Sequence, residues 1–247
     1  MIDENPITQL QVESRSAEAL YDYIDDTVFF VKDRLGRYVV VNQTIAKRCG
    51  LDEKHEAVGR TAEEVFPNYL GESYSQQDRE VIESRIPLQA ELEQHLNRDC
   101  RECWCLTWKI PLFAKDTSII GLVGMSRDLG IAQDSSNDMK SVATVLRHVK
   151  NNLAGNIQID DLVQLSGLSA FQLDNRIKNL LGVSTGQHIT QSRIEFACFK
   201  LKNTTDPIVE IAKSVGYNDA SAFTRQFRKT VGVTPSLFRS KYHQLAE

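Results

Sequence analysis

The sequence predicts an α+β domain, an antiparallel sheet with helices on one face, followed by an all-α domain with two helix-turn-helix units. Three observations lead to this fold class. Strand-like runs flank a group of short helical segments in the first half, and a pattern of two short helices and a turn occurs twice in the second half. The net charge also changes sign between the two halves.

Length and composition fit two domains of ordinary size. The chain has 247 residues, of which 41% are hydrophobic, so each half can bury a core. It has no run of ~18 apolar residues and its first residues are acidic, which predicts a cytoplasmic protein without a membrane span or signal peptide. Five cysteines, an odd number, fit reduced thiols better than a disulfide framework.

The formal charge of −4 conceals an uneven distribution. Residues 1–138 hold 15 Lys and Arg against 25 Asp and Glu, a net charge of −10. Residues 139–247 hold 14 against 8, a net charge of +6. A basic domain attracts a polyanion and an acidic domain is repelled from it, so the second domain is expected to bind nucleic acid.

Composition also places the domain boundaries. Residues 1–14 are polar, and we expect them to be flexible. Residues 131–139 (IAQDSSNDM) have the Ser, Asp and Asn content of a linker. The first domain therefore spans residues 15–130 and the second spans residues 140–247.

The first domain is predicted to begin with a short amphipathic helix over 15–24 and a β-hairpin. The β-rich runs Thr27–Lys32 and Arg37–Gln43 are separated by an Asp and a Gly, which is typical of a hairpin turn. The remaining elements are predicted to be helices around 43–49, 61–66 and 73–85, and strands over Leu88–Leu96, Glu102–Phe113 and Ser118–Arg127.

The second domain contains the clearest local pattern, in the segment Pro207–Pro235. A short helix with apolar residues three and four positions apart ends at Gly216, and Asp219 can cap a second helix. That second helix is apolar on one side, through Phe223 and Phe227, and cationic on the other. Such a pair predicts a helix-turn-helix whose second helix enters a DNA groove.

The same pattern occurs upstream, so the unit is duplicated. Leu162–Gly167 corresponds to Ile211–Gly216 with an offset of 49 residues, and Ser169 corresponds to Asp219 with an offset of 50. A helix over 139–153 precedes the first unit and a helix over 186–202 joins the two. A helix of that length spans ~25 Å and can hold two recognition helices about one DNA turn (~34 Å) apart.

The region from about residue 140 to residue 243 resembles the DNA-binding domain of the AraC family of bacterial transcription regulators. The matching residues are Leu162, Gly167-Leu-Ser169, the GVST of 182–185, Arg193-Ile-Glu-Phe-Ala197, Leu201, Ile211-Ala212, Val215-Gly216-Tyr217, Phe223-Thr-Arg225-Gln-Phe227-Arg-Lys229, Gly232-Val-Thr-Pro235 and Phe238-Arg239.

The resemblance implies which side chains face DNA. The base-facing residues it implies are Phe171, Asp174 and Asn175 in the first recognition helix, and Ala220, Ser221, Thr224 and Arg225 in the second. The phosphate-contacting candidates are Arg176, Lys178, Arg193, Arg228 and Lys229. Arg225 can offer two donors to guanine and Asn175 can pair with adenine. Asp174 departs from expectation, because phosphates repel an acid unless it accepts from cytosine, so the first helix is expected to contribute less affinity.

Residues 16–130 resemble a PAS domain, through the order of two strands, several short helices and three strands. The supporting residues are Val28-Phe-Phe-Val-Lys-Asp33, Gly36-Arg-Tyr-Val-Val-Val-Asn42, Val58-Gly-Arg-Thr61, Pro111-Leu112, Gly121-Leu-Val-Gly124 and Ser126-Arg-Asp-Leu129. The resemblance implies a sensor or dimerisation module with a small cavity between the sheet and the helices.

A ligand pocket is one interpretation of this domain, and an ordinary core or dimer surface is the other. The candidate pocket residues are Phe30, Asn42, Glu91, His95, Trp104 and Trp108, with Glu93 as an alternative to Glu91. A small organic ligand is possible in this cavity. Haem is disfavoured because the helix over 73–85 lacks a histidine, and flavin is disfavoured because no light-sensing cysteine motif follows Asn42.

Cys100, Cys103 and Cys105 are weighed as a metal or redox site. No second pair or nearby histidine follows at zinc spacing, so no metal is predicted. Reduced structural thiols and thiol sensing both stay open.

These observations predict a DNA-binding transcription regulator whose PAS domain senses a small molecule or a redox signal. The resemblance to the AraC family implies an activator rather than a repressor. The alternative is a constitutive DNA-binding protein whose PAS domain only dimerises or recruits a protein. Double-stranded DNA is the expected partner, with homodimerisation through the PAS domain and RNA polymerase as a further candidate; no membrane is expected. No phosphate loop or nucleophile–base motif is present, so the protein is not expected to be an enzyme.

Overall fold

The computed structural model describes residues 17–66, 68–96, 102–114, 116–132 and 136–244. It divides into two compact units, Met1–Ser136 (the first unit) and Asn137–Glu247 (the second unit). The predicted flexible N-terminus, residues 1–14, lies outside the described residues.

The first unit contains a five-stranded antiparallel sheet in the order β2-β1-β5-β4-β3. Its strands are β1 (Thr27–Asp33), β2 (Tyr38–Val41), β3 (Leu88–Leu96), β4 (Glu102–Phe113) and β5 (Ile119–Ala132). A short helix α1 (17–21) precedes the sheet. Between β2 and β3 lie α2 (Gln43–Cys49), a 3₁₀ helix (Lys54–Ala57), α3 (Ala62–Val65) and α4 (Asn68–Ser84).

The β1–β2 hairpin forms where the sequence predicts it, because the turn residues satisfy the backbone. Asp33 Oδ1 accepts hydrogen bonds from the Leu35 and Arg37 amides at 2.8 and 2.9 Å. Gly36 adopts φ +75°, which a residue without a Cβ reaches at little cost. The turn therefore fixes the register of β1 against β2.

Alternate residues of β1 face two different apolar layers. Val28 and Phe30 pack under the helices in a core that includes Ile45. Phe29 and Val31 point to the other face, where Tyr21 of α1 stacks on Phe29 with the ring centroids 4.7 Å apart. Apolar packing on both faces explains why β1 lacks the polar alternation of an edge strand.

The second unit is helical throughout the residues that the structure describes. Its helices are α5 (Ser136–Asn151), α6 (Ile159–Ser166), α7 (Ala170–Leu181), α8 (Thr185–Asn203), α9 (Ile208–Ser214), α10 (Ala220–Val231) and α11 (Pro235–Gln244). The α+β and all-α fold classes that the sequence predicts are both confirmed. Among the described residues, no helix is long and apolar enough to cross a membrane.

The duplicated unit keeps its offset of 50 residues through the caps of α7 and α10. Ser169 accepts from the Gln172 amide, and Asp219 accepts from the amides of Ser221 and Ala222 at 3.0 and 2.9 Å. Both helices have 12 residues and end at a left-handed glycine, Gly182 and Gly232 respectively. Because the capping residues and the terminal glycines are both fifty residues apart, the two recognition helices have the same length.

Buried side chains at matching positions hold each helical pair together. Leu162, Leu173 and Ile177 are fully buried in the first pair, and Phe223 and Phe227 are fully buried in the second. The second pair shares its core with α8 through residues that include Ile194, Ala197 and Leu201. The joining helix therefore packs against the second helix-turn-helix as well as connecting the two.

Several element boundaries differ from the sequence prediction, and three of the differences have a clear structural consequence. The helix α4 begins at Asn68 rather than 73, because Leu70 extends the buried face formed by Tyr74 and Val81. The strand β5 continues to Ala132, which pairs with Cys103 of β4. Since α5 begins at Ser136, most of the predicted linker, residues 131–139, belongs to regular elements.

Candidate nucleic-acid interface and interior cavity

The helix α10 presents its predicted base-reading residues on one face. Because Phe223 and Phe227 are fully buried, Ser221 and Arg225 lie exposed on the opposite side of the helix, and Ala220 and Thr224 are half-buried. The Arg225 side chain is 74% exposed, and its Nη2 lies 4.0 Å from Asp219 Oδ2. An ion pair this exposed contributes little, so the guanidinium remains available to a guanine edge.

The cationic candidates Arg228 and Lys229 are exposed in the last turn of α10. Lys178 is exposed on α7, at the position that corresponds to Arg228 fifty residues later. These three side chains can contact phosphates without moving any core residue.

The helix α7 carries a different set of side chains on the equivalent surface. Phe171 is 76% exposed and lies one residue after the helix begins, where α10 has Ser221. Asn175 is exposed where α10 has Arg225. The first recognition helix thus offers an aromatic ring and a carboxamide, which suit a thymine methyl group and an adenine edge.

Asp174, which is predicted to face bases, accepts a hydrogen bond from the start of the next helix. Its Oδ1 accepts a hydrogen bond from the Thr185 amide at 2.8 Å, at the start of α8. This backbone hydrogen bond lowers the pKa of Asp174 below its ordinary value. The corresponding residues of the second helix-turn-helix and the helix after it are Thr224 and Pro235, and Pro235 has no amide hydrogen to donate. Asp174 therefore has a backbone partner, the Thr185 amide, whereas Pro235 offers no equivalent amide to Thr224.

Arg176, a predicted phosphate contact, forms an ion pair with Asp138 of α5. The two side chains are 31% and 47% exposed. To bind a phosphate, the Arg176 guanidinium must either break its ion pair with Asp138 or contact both anions at once.

Arg193, also predicted to contact phosphate, uses its guanidinium to donate hydrogen bonds to two backbone carbonyls. Its Nε donates to the Leu153 carbonyl at 3.1 Å and its Nη2 donates to the Gly155 carbonyl at 2.6 Å. The guanidinium also lies 5.9 Å from the centre of the Tyr217 ring. A Cβ at Gly216 would stand 2.6 Å from the Leu153 oxygen, so this glycine is required for the close approach. Arg193 therefore fastens the segment before α6 to the turn of the second helix-turn-helix.

The first unit encloses a small polar cavity between the sheet and the helices. Its volume is about 20 Å³, room for about one water molecule. The predicted pocket residues Phe30 and His95 line it. So do Lys32, Tyr38, Glu93, Thr107 and Lys109, none of which except Glu93 was predicted from the sequence.

The two tryptophans predicted for this pocket lie on the other face of the sheet. Cys103 pairs with His95, and successive residues of a strand point to opposite faces, so Trp104 points away from the side where His95 lies. Trp108 shares the parity of Trp104, whereas Thr107 and Lys109 line the cavity. The structure therefore does not bring the indoles and His95 into one pocket.

Asn42 and Glu91 are buried but do not line the cavity. Asn42 Oδ1 accepts from the Phe29 amide at 2.9 Å, and its Nδ2 donates to the Tyr21 and Thr27 carbonyls. It therefore ties α1 and β1 to the end of β2. Glu93, the alternative to Glu91, is the acid that lines the cavity.

Buried charges surround this cavity. Lys32 and Lys109 both pair with Asp78 of α4, and all three side chains are at most 3% exposed. Burial opposes ionisation of Asp78, but the ammonium groups of Lys109 and Lys32 prevail and lower its pKa. The sequence did carry a signal for Lys32, because it continues the inward-facing positions Val28 and Phe30 of β1.

His95 is neutral at physiological pH. Burial and the charge of Arg48 lower its pKa to about 3. Its Nδ1 lies 2.6 Å from the Leu96 carbonyl oxygen. Arg48 itself is fully buried and pairs with Asp128 at 2.9 Å. The imidazole is thus a neutral hydrogen-bonding group rather than a charged anchor.

The described cysteines of β4 are shielded thiols. Burial and the Asp128 carboxylate raise the pKa of Cys103 to about 11, and burial raises that of Cys105. Since the thiolate is the reactive form, these environments oppose oxidation. Cys100 lies outside the described residues. Within the described part of the chain, no group of three His, Cys, Asp or Glu side chains is placed to hold a metal ion.

Comparisons with known families assign a domain type to each unit. The family model for a helix-turn-helix domain matches residues 162–241, and that for a PAS fold matches residues 23–133. The first match begins within α6 and covers the rest of both helix-turn-helix units, and the second match contains the whole sheet.

Individual relatives share a segment of about a hundred residues with this chain. The MmsAB operon regulatory protein of Pseudomonas aeruginosa is 29% identical over 97 residues, 39% of this chain and 32% of that protein. The HTH-type transcriptional activator AarP of Providencia stuartii is 26% identical over 98 residues, 40% of this chain and 73% of that protein. The match thus spans about a third of the length of the Pseudomonas regulator.

The C-terminal domain of AraT, a response regulator from Geobacillus stearothermophilus, is 28% identical, with a TM-score of 0.39, over 41% of this chain and 84% of that one.

Proposed function

Since the chain carries an AraC-type helix-turn-helix domain, the DNA-binding domain of a family of transcription regulators, behind a PAS fold, we propose that α7 and α10 read adjacent major grooves of one operator and that the PAS domain controls this binding in response to a small molecule. The relatives that match the helix-turn-helix domain are transcription regulators, which supports a non-enzymatic function for this chain.

The observation that supports DNA reading by α10 is its free basic face. Arg225, Arg228 and Lys229 lie exposed on a helix whose other side is anchored by two fully buried phenylalanines. A rigid helix with donors on its free side satisfies the geometry of groove recognition. Asn175 and Phe171 give α7 a second, less cationic reading surface.

Footprinting of the full chain on genomic DNA fragments tests this assignment. We expect protected sites with two contact regions about one helical turn (~34 Å) apart. Arg225→Ala combined with Asn175→Ala should abolish the footprint, while Lys47→Ala, at an exposed lysine of α2 in the first unit, should leave it unchanged.

We assign a small molecule rather than a thiol reaction as the signal, because the described β4 cysteines have raised pKa values. We also assign activation, with homodimerisation through the PAS domain and a contact to RNA polymerase, in keeping with the activator AarP among the relatives. Native mass spectrometry of the purified protein measures both subunit number and any retained molecule.

The second candidate function is constitutive DNA binding with a PAS domain that only assembles subunits. The small volume of the cavity, about 20 Å³, favours it, because no organic ligand fits there without movement. Deleting residues 1–130 distinguishes the two: constitutive binding predicts an affinity change from lost dimerisation alone, restored by an unrelated dimerising domain.

A further inference from the structure

We propose that Lys32 and Lys109 form a carboxylate-binding site inside the PAS domain, which the chain's own Asp78 fills when no ligand is present. The inference rests on the proposed function, since it names the class of molecule that the PAS domain senses. That class is a small carboxylate able to take the place of Asp78.

Both ammonium groups converge on a single carboxylate. Lys32 Nζ pairs with Asp78 Oδ2, and Lys109 Nζ lies 2.6 Å from Asp78 Oδ1, so each oxygen has its own lysine. Lys109 Nζ also donates to the Tyr74 carbonyl at 3.1 Å, and Lys32 Nζ lies 4.1 Å from the centre of the Tyr38 ring. The surroundings that hold the lysines in place do not depend on Asp78.

The charge of this site determines what can occupy it. A buried ammonium group loses its hydration, and only a paired anion offsets that loss. If Asp78 left, two buried cations would face a cavity whose lining holds one other acid, Glu93, so a neutral molecule would leave at least one of the lysines without an anionic partner. A carboxylate restores both ion pairs with the same division of oxygens between the lysines.

A surface cleft provides the route of entry. Its volume is about 290 Å³, close to the lower limit for small-molecule pockets. It is lined by the β1–β2 turn at Arg34, the start of α3 at Thr61, and Ser75, Asp78 and Arg79 of α4. Asp78 lines the cleft and the two lysines line the inner cavity, so Asp78 separates the two spaces. Its displacement would join them and give room for the body of a ligand.

Exchange of carboxylates would also remove both ion pairs that join α4 to the sheet, while the hydrogen bond from Lys109 to the Tyr74 carbonyl of α4 remains. Asp78 lies on α4, whereas Lys32 and Lys109 lie on β1 and β4. With a free carboxylate bound, the ion pairs no longer connect helix to sheet. This gives a ligand of the stated class a means of changing the domain that houses it.

Chemical rescue of Asp78→Ala in the full chain tests the site. We expect the variant to melt ~5 °C or more below the parent protein. Acetate or formate should restore much of this loss in a saturable manner, whereas acetamide and matched concentrations of chloride should not. Lys109→Met combined with Asp78→Ala should lose the rescue. Inorganic phosphate serves as a separate arm: rescue by phosphate in preference to acetate would overturn the carboxylate assignment.

Asp78→Asn keeps the inference testable if the alanine variant does not fold. Its amide retains the shape of Asp78 without the charge, so carboxylates should raise its melting temperature more than that of the parent, and amides should not. Equal shifts for carboxylate and amide, or no shift with either, would overturn the proposal. Because melting is measured without DNA, this result stands apart from any failure of the footprinting experiment.

Discussion

Asp174 of α7 accepts a hydrogen bond from the Thr185 amide, 2.8 Å away at the first residue of α8. The equivalent pair fifty residues later is Thr224 and Pro235, between which no such bond can form. The two helix-turn-helix motifs thus have the same helices, but corresponding positions in them make different contacts.

Substitution at Asp174 should affect stability, whereas substitution at Thr224 should affect operator affinity. Asp174→Ala removes an acceptor for a helix N-terminus and should lower the melting temperature by a few degrees, because the Thr185 amide loses its partner. Thr224→Ala should leave the melting temperature unchanged and reduce operator affinity. Thermal melting and titration of labelled operator DNA measure both. A larger stability loss for Thr224→Ala than for Asp174→Ala would contradict this division.

Arg225 should determine base preference. Replacing it with alanine removes two donors to a guanine edge, and we expect a loss of ~1–3 kcal/mol in operator binding together with relaxed preference at one base pair. Binding to an operator library measures both quantities. Arg225→Lys keeps the charge but loses the paired donors, so it should recover non-specific binding only.

Lys229 should act on all sequences alike. Lys229→Ala is expected to weaken specific and non-specific binding by similar factors and to reduce the slope of log K against log salt by ~1, because one phosphate contact is lost. Titrations at several salt concentrations provide the slope. An unchanged slope would assign Lys229 to solvent rather than to phosphate.

Release of Arg176 from Asp138 should strengthen DNA binding. Asp138→Asn removes the carboxylate that pairs with Arg176, so the guanidinium becomes available for a phosphate and the salt slope should steepen by ~0.9. Asp160→Asn, a charge-matched change at an exposed position of α6, controls for the loss of one negative charge. If both variants bind equally, the ion pair does not restrain Arg176.

Stability should fall in acid because of His95. Its folded-state pKa is about 3, below the ordinary value of 6.5, so the unfolded chain takes up a proton that the folded chain excludes. The stabilisation that comes from keeping His95 neutral is fully present above pH 6.5. As the pH falls towards the folded pKa, the free energy of unfolding decreases, by about 2 kcal/mol at about pH 5. Denaturant unfolding at several pH values measures this slope, which His95→Gln should flatten and His55→Gln, at an exposed histidine, should not.

The recognition helices were predictable because their signals are local. The caps Ser169 and Asp219, the glycines that end each helix, and the apolar spacing all lie within a few residues of one another. A duplicated pattern then doubles the evidence.

Roles that depend on distant neighbours could not be predicted in this way. Arg193 looks like any cation on a helix until the fold brings the Leu153 carbonyl, 40 residues away in sequence, within reach. Asp78 lies 46 residues from Lys32 and 31 from Lys109, so only the packing of α4 on the sheet reveals that they form one cluster. Trp104 was misplaced for a related reason, since the alternation of β4 shows two faces but not which one the helices cover.

The proline at the start of α11 limits how this protein can be re-engineered. Exchanging whole recognition helices between the two copies would place an acid at position 224, where no amide awaits it and nearby phosphates would oppose it, and would leave Thr185 without its cap. An exchange of recognition helices therefore has to transfer positions 174 and 185 together, or positions 224 and 235 together.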